Sequence, residues 1–511
     1  VCRSRLSRSA IPSAVLSSVL IYPNTRNVAF ASLGFLKVYE MLRDSLDLAD
    51  LSYLPSGPDD PVLSPKRRLL LGHVSGREVK RFDVVAFSVS YENDFLHVPE
   101  LLMMAGLPPL ASKRTDALPL VVCGGFTMSS NPLPVADFVD VAVVGEAECV
   151  IDSLVKTIAE ARIRNLGKKR LLEKISRLDG VYVPLLGARR VKRVWCTAES
   201  IAPEPISQVE SHFGRMHLVE IGRGCGRGCL FCAAGNLYRP VRERDEMGVL
   251  DACRDFEKIG LVGTAVGDHP GILPIMRELV GGGKALGVSS LRADRITPDL
   301  ANLLVRGGVR TLAIAPETGS EQLRKRIGKP ITRGQIREAV RTLAGAGMRT
   351  IKLYFMIGLP DETMGDVEAI TELVGDLAQV RGRSRLSVAV GPFVPKPHTA
   401  FQWTGFATRE TLRRRMDLLK SISRIRGCAI KGASIDEAWV EAVLARGDRG
   451  LGAVLLEAAG RRRTLRTLLR TTAGVDPTIA LDARKPLPWD LIDSGIPKKR
   501  LLEQYEAFRA G

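Results

Sequence analysis

Three cysteines, Cys225, Cys229 and Cys232, stand four and three residues apart, and an aromatic, Phe231, directly precedes the last of them. Gly222, Gly224, Gly226 and Gly228 are interleaved in the same run. Backbone without side chains can wrap a compact object and aim its N–H groups inward. Three thiolates at this spacing can ligate three irons of a cubane [4Fe–4S] cluster and leave the fourth iron open for a substrate or cosubstrate. Zinc is the alternative metal, but a structural zinc takes four protein ligands, and no second Cys/His pair lies near. A disulfide framework belongs to small secreted domains. Chance core cysteines are buried singly, not clustered in a Gly/Arg loop.

Such a loop needs a scaffold, and the sequence around it alternates strand and helix six times between Met216 and Phe393. The strands read are His217–Ile221, Leu261–Val266, Gly287–Leu291, Arg310–Ala315, Thr350–Ile357 and Leu386–Val390, with the clearest helices at Glu321–Ile327, Arg333–Ala346 and Asp366–Gln379. Six βα units without a closing pair predict a partial (β/α)6 TIM-type barrel whose site lies at the carboxyl ends of the strands. Those ends carry Gly267, Asp268 and His269 after the second strand, and Ser290, Arg292 and Asp294 after the third. Glu317 and Ser320 follow the fourth, and Ile357, Gly358, Glu362 and Thr363 the fifth. Arg292 can grip a carboxylate through two parallel hydrogen bonds, or pair internally with Asp294 or Glu317. His269, ahead of Pro270, suits either a helix cap or a proton donor. After strand six, Pro395 and Pro397 stiffen a segment bearing Lys396 and His398, which are candidates for facing substrate or for the edge of a lid.

The cysteine spacing with its preceding aromatic, followed in order by these turns, resembles the radical S-adenosylmethionine (SAM) superfamily. The resemblance implies a [4Fe–4S] cluster on Cys225, Cys229 and Cys232, with SAM at the open iron and Phe231 beside them. It implies further that Gly267 and Asp268 hold the methionine amino group, and that Ser290 and Arg292 lie near the methionine carboxylate. Glu317 and Ser320 would reach the ribose and amino group, and Ile357 and Gly358 would lie against the adenine. The implied chemistry is reductive cleavage of SAM to methionine and a 5′-deoxyadenosyl radical. The implied partners are an external electron donor such as flavodoxin or ferredoxin and a small-molecule or RNA substrate.

Ahead of the barrel, β-branched runs at Val19–Tyr22, Val84–Val89, Leu120–Cys123 and Val139–Val144 alternate with helical stretches near Phe30–Ser45, Phe95–Ala105 and Glu146–Ile158. Continuous apolar strands between helices predict a doubly wound, flavodoxin-like parallel sheet, with a ligand crevice outside its carboxyl ends. Ser88, Ser90, Gly124, Gly125 and Gly145 lie at those ends. The stretch resembles the cobalamin-binding-type domain that precedes some radical SAM barrels, although its Asp-x-His-x-x-Gly loop is missing; His73 reads as a surface turn residue. Cobalamin bound without a histidine ligand and an empty domain both remain open. Nearly the full chain is similar to an uncharacterised bacterial radical SAM family of this arrangement. The expected division is 15–158 for this domain, 159–213 for a connector, 214–403 for the barrel and 404–511 for a mostly helical C-terminal region, with helices over Arg409–Arg426, Asp436–Arg446, Leu451–Thr471 and Pro497–Ala510.

The 511 residues are 45% hydrophobic and 25% charged, which excludes wholesale disorder. Nine cysteines are few for this length, and the six outside the motif are scattered without paired spacing, which suits a reducing, cytoplasmic location; no apolar run reaches membrane-spanning length. The net charge of +18 suits an anionic partner such as RNA, or simply an Arg-rich composition. The basic run Arg189, Arg190, Lys192, Arg193 reads as a solvated face. Two alternatives to the leading reading are an RNA-modifying enzyme of methylthiotransferase type and a non-catalytic iron–sulfur sensor. The first is weakened by the lack of a second cysteine cluster, the second by the SAM-type turns.

Overall fold

The computed structural model describes residues 16–65, 68–201, 216–460 and 476–510. Its first sheet has strands β1 (Ser17–Tyr22), β2 (Leu48–Tyr53), β3 (Val84–Ser88), β4 (Leu120–Gly124), β5 (Val141–Val143) and β6 (Val181–Tyr182). Their order is β2-β1-β3-β4-β5-β6, all parallel except β6. The first five follow the flavodoxin-like order, which reverses between β1 and β3 and opens a crevice there. All six residues of β1 and all five of β3 are buried, because helices such as Leu33–Ser45, His97–Met104 and Ile151–Ile163 cover both faces. β2 did not stand out in the sequence: Leu48–Tyr53 contains Asp50 and two serines or alanines in place of a β-branched run.

β7 (Val191–Lys192) pairs far down the chain with β17 (Ile492–Asp493), tying the segment after the first sheet to the C-terminal region. The barrel begins with β8 (His217–Arg223), against which β9 (Arg242–Glu243) lies antiparallel. β10 (Lys258–Gly263) and β11 (Ala285–Val288) follow in parallel. The third barrel strand is broken at Ser289: its upper piece, β12 (Ser290–Leu291), joins a second sheet with β13 (Thr311–Glu317), β14 (Thr350–Ile357) and β15 (Arg385–Pro392). A further parallel strand, β16 (Cys428–Gly432), extends that sheet.

β16 comes from the region read as helical. The helix expected over Arg409–Arg426 ends at Leu419, passes through a short tight turn over Lys420–Arg424, and gives way to the strand. The remainder of the C-terminal region is helical, with Ile435–Arg446, Leu451–Gly460 and Lys498–Ala510; the expected continuation of the second to Thr471 lies outside the described residues. Val443, Leu444, Leu451 and Leu455 of these helices belong to the core of the first sheet. Asn131 Nδ2 donates to the carbonyls of Ala445 (3.1 Å) and Gly447 (2.7 Å) at the same junction. No helix among the described residues is long and apolar enough to cross a membrane.

Candidate active site

The cysteine loop leaves the carboxyl end of β8 and ends where Cys232 caps the helix Ala233–Leu237, whose Gly235 N–H donates to Cys232 Sγ at 3.3 Å. A second segment clamps the loop from behind. Leu230 N–H donates to the Ile327 carbonyl at 3.0 Å, and a Cβ on Gly328 would lie 2.9 Å from the Gly228 carbonyl oxygen. Gly328 has φ +75°, so glycine is needed there for both reasons. Phe231 packs into a small apolar cluster with Leu323, Ile327, Phe393 and Phe401. The three thiols are partly exposed and form no disulfide. Burial pushes Cys229 up to about 11, against the pull of the Lys329 ammonium. Among the described residues the three sulfurs do not converge within 4.8 Å, as ligands of a single ion would. Three thiols are one short of the four protein ligands of a structural zinc and the number that leaves one iron of a cubane open, so the donor set fits a cluster better than zinc.

Charged groups close around the loop. Arg227, inside it, donates to Asp268 from Nε at 2.8 Å, and Arg295 Nε donates to the same carboxylate at 2.9 Å. These arginines hold Asp268 below the usual carboxylate range. Arg292 makes a forked pair with Asp294, at 2.9 and 3.1 Å, so of its two readings the structure shows the internal one. Glu317 ends β13 at a break in its register with β14, at φ +71°, and its carboxylate accepts from Lys329 Nζ at 2.6 Å. A non-glycine residue held at positive φ is costly and persists where its surroundings impose it. Lys329, Arg292 and Glu317 all act electrostatically on Cys229, which places them about the loop.

Other expected SAM contacts have structural duties here. Ser320 Oγ accepts from Leu323 N–H at 3.2 Å as a helix cap. Gly267 lies against Leu291 and Arg295, Ser290 is exposed on β12, and Ile357 is buried under the helices. Gly358 sits at φ +87°, and the space beside its Cα is filled by Leu412 and Ala407. Its N–H donates to Glu362 Oε2 at 2.7 Å, and Arg415 pairs with that carboxylate at 2.8 Å. Arg227, Gly328 and Lys329 were missed in sequence. Arg227 was legible as a cation within the cysteine run; Gly328 and Lys329 gave no local signal, because only the fold brings them to the loop.

The two catalytic candidates face elsewhere. Lys396 Nζ is held between Glu92 (2.7 Å) and Glu441 (2.6 Å), and His398 Nε2 meets the Ser130 carbonyl at 3.0 Å with its side chain buried. Both fasten the segment after β15 to the first sheet and to helix Ile435–Arg446, because that sheet lies directly over the barrel mouth. His269 is likewise structural: Nε2 meets the Arg244 carbonyl at 2.9 Å, and Nδ1 accepts from Gly271 N–H at 3.1 Å. Arg193 is not on a solvated face but buried, with its guanidinium on the Arg239 carbonyl at 2.5 Å. His73 is no free turn residue either; its ring packs on Phe30 and Tyr53.

Where the sheet meets the barrel there is a cavity of about 590 Å³. Ser88, Gly124, Gly125 and Gly145 contribute from the sheet, and Glu220, Arg223, Gly263 and Thr264 from the first two barrel strands. The cavity runs on between β1 and the helices Leu33–Ser45 and Ile151–Ile163, past Val38, Met41 and Leu154, to Ser18, whose buried hydroxyl has no partner. Among the described residues no histidine lines it. Its rim holds a buried ion network. Glu146 accepts from Arg242 at 2.7 and 2.8 Å and from Arg223 at 3.0 Å, and Arg223 also pairs with Glu148 and with Glu220, both at 2.6 Å. Glu146, Glu148 and Cys196 converge as metal ligands would, but the two guanidiniums already occupy the carboxylates.

Two family models match, "Radical SAM proteins, N-terminal" over residues 34–184 and "Radical SAM superfamily" over residues 219–374. An uncharacterized protein of Methanocaldococcus jannaschii is 32% identical over 390 residues, which are 74% of this chain and 80% of that protein. An uncharacterized methyltransferase of Pyrococcus horikoshii is 27% identical over 161 residues, 30% of this chain and 35% of its own. Among solved structures, the radical SAM methyltransferase TsrM from Kitasatospora setae, with cobalamin and a [4Fe–4S] cluster bound, superposes with TM-score 0.52 at 17% identity, covering 73% of this chain and 72% of TsrM. The cobalamin-dependent SAM radical enzyme OxsB with aqua-cobalamin gives TM-score 0.51 at 15% identity, over 71% of this chain and 52% of OxsB. At these identities the likeness is one of fold. With the cysteine loop, the partial barrel and the sheet ahead of it, these matches make the chain an enzyme of the radical SAM superfamily.

Proposed function

We propose that this radical SAM enzyme is a cobalamin-dependent methyltransferase. The observation that carries the reading is the cavity shared by the carboxyl ends of the first sheet and the first two barrel strands, beside the cysteine loop. Its volume lies within the range of small-molecule and cofactor sites. Bare glycines at the strand ends let a broad planar group approach the backbone, and Ser18, Ser88 and Ser90 offer hydroxyls to amide side chains. The apolar extension between β1 and its covering helices suits a nucleotide tail. When bound, the cluster and SAM supply one-electron chemistry and cobalamin supplies a carrier for the methyl group.

The chain's own residues do the rest. Cys225, Cys229 and Cys232 hold the cluster, Gly235 N–H steadies the last thiolate, and the clamp at Gly328 fixes the loop. Asp268 and Glu317 offer carboxylate lone pairs to the methionine amino group of SAM; Arg227 and Arg295 hold Asp268 ionised, and Lys329 fixes the position of Glu317. The first sheet, fastened over the barrel mouth by Lys396 and His398, excludes water.

Two results test this reading. Hydroxocobalamin taken up by the protein should show the spectrum of a cobalt without a protein histidine, unchanged in His73→Ala. Val38→Trp, which fills the cavity from helix Leu33–Ser45, should abolish uptake and leave iron content intact. Uptake by the tryptophan variant at wild-type affinity would place cobalamin elsewhere, and no uptake by the wild type would remove methyl transfer. For SAM, Asp268→Ala and Glu317→Ala should each weaken binding about ten- to hundredfold, the loss of one charge-assisted hydrogen bond. Unchanged titrations in both variants would move the SAM site.

A further inference from the structure

Along the barrel strands, residues buried under the helices alternate with residues facing the lumen. On β14, Ile351, Leu353, Phe355 and Ile357 are buried, whereas Lys352 and Tyr354 are exposed. Directly opposed residues of parallel neighbours share a face, so the register extends this lumen wall. Lys352 lies opposite Ser387 and Tyr354 opposite Ala389 on β15, while β16 sets Ala429 beside Ser387 and Lys431 beside Ala389. Lys352, Tyr354 and Lys431 thus project from alternate strands of one wall, separated only by small residues. The opposite wall is filled: Met216 and Leu218 lie across Gly260, and Met216 also crosses Gly287, where a Cβ would meet their side chains. The open room is therefore on the side of the two lysines.

The lysines that are largely buried have carboxylate partners: Lys37 pairs with Glu220, Lys329 with Glu317, and Lys396 with Glu92 and Glu441. Among the described residues Lys352 and Lys431 have none, and Tyr354 has no hydrogen-bond partner. Strands about 4.8 Å apart set the two lysine columns about 10 Å from each other, a gap that two flexible four-carbon stems close onto one anion.

We infer that this wall binds a phosphate group, and that the substrate of the proposed reaction is a phosphorylated small molecule. Two ammoniums and a phenol hydroxyl arrayed in three dimensions match a tetrahedral anion; a planar carboxylate is better served by an arginine fork. Tyr354 lies three residues below Ile357 on β14, about 10 Å along the strand. A phosphate held there leaves the rest of the molecule reaching up toward the strand ends, where the cysteine loop lies. Only this last placement rests on the radical SAM methyltransferase reading; the anion site does not.

The test is calorimetric titration of the reconstituted full chain with inorganic pyrophosphate at fixed ionic strength, with acetate and a short single-stranded oligoribonucleotide as comparison probes. Lys352→Met and Lys431→Met should each weaken pyrophosphate binding tenfold or more, and Tyr354→Phe two- to fivefold, with iron content unchanged as evidence of folding. Lys499→Met, on the exposed C-terminal helix, should have no effect. An equal loss in Lys499→Met, acetate binding as tight as pyrophosphate, or no pyrophosphate binding by the wild type would overturn the phosphate site. Tighter, lysine-dependent binding of the oligoribonucleotide would overturn the small-molecule assignment. Pyrophosphate binding that survives in a protein unable to cleave SAM would sink the proposed reaction and leave this site standing.

Discussion

Replacing any one of Cys225, Cys229 or Cys232 by alanine is expected to bring bound iron and 5′-deoxyadenosine formation to background after anaerobic reconstitution. With the fourth iron left open for SAM, the chain supplies only three ligands, and losing one leaves a cubane with two protein anchors. Three of the other cysteines are closed to this role: Cys123 and Cys253 are buried, and Cys196 is engaged with Glu146 at 3.0 Å. Cys123→Ala and Cys428→Ala should therefore keep full iron content. Iron retained at the wild-type level in all three motif variants would refute the cluster assignment. Gly328→Ala separates ligation from support. A Cβ there meets the backbone of Gly228, so the variant should lose cluster stability although every ligand is present.

Glu146→Gln should produce the largest loss of stability of any single substitution away from the cysteine loop. The carboxylate is 7% exposed and answers two buried guanidiniums, Arg223 and Arg242, as well as Cys196 N–H at 3.0 Å. Removing one partner from such a network leaves a buried charge uncompensated, which costs about 3–5 kcal/mol. The network also makes Glu146 a source of acid sensitivity. Its hydrogen bonds with Arg242 and the charge of Arg223 outweigh burial and hold its carboxyl at about 2, against 4.5 in the unfolded chain. The unfolded state then takes up a proton that the folded state refuses. The stabilisation, about 3 kcal/mol, is present above pH 4.5 and is lost as pH falls through about 2. Denaturant titrations of wild type and Glu146→Gln between pH 7 and pH 3 check both statements. A difference below 1 kcal/mol at pH 7, or one that does not shrink as the pH is lowered, would show that the network is not what joins sheet to barrel.

The parts of this molecule legible in the sequence were those written locally. The cysteine run carries its own spacing, the apolar strands β1, β3, β4 and β14 carry their own periodicity, and the helices over Arg333–Gly345 and Met364–Val380 start at capping boxes on Thr332 and Thr363. What escaped was written between distant segments. β16 looks like a helix end because only β15 beside it supplies its ladder. Lys396 and His398 look like mouth residues because sequence places them after a barrel strand, and nothing local announces that Glu92, Glu441 and Ser130 come to meet them. Arg292 was undecided between a ligand and Asp294 for a related reason: a fork that suits one carboxylate suits another, and proximity decides.

The break at Ser289 has a mechanical consequence. β11 belongs to the sheet of β8 and β10, whereas β12, one residue later, belongs to the sheet of β13 to β16, and no ladder joins the two. The barrel wall is thus a pair of leaves with a seam running its full height. Spreading the leaves breaks no ladder, only the backbone bond from Leu286 N–H to the Gly307 carbonyl at 2.7 Å, whereas parting neighbouring strands within either leaf would tear a ladder. Breathing of this barrel will therefore concentrate at one line, with the filled wall of Met216 and Leu218 on one leaf and the lysine wall on the other. A guest that touches both leaves closes the seam as it binds.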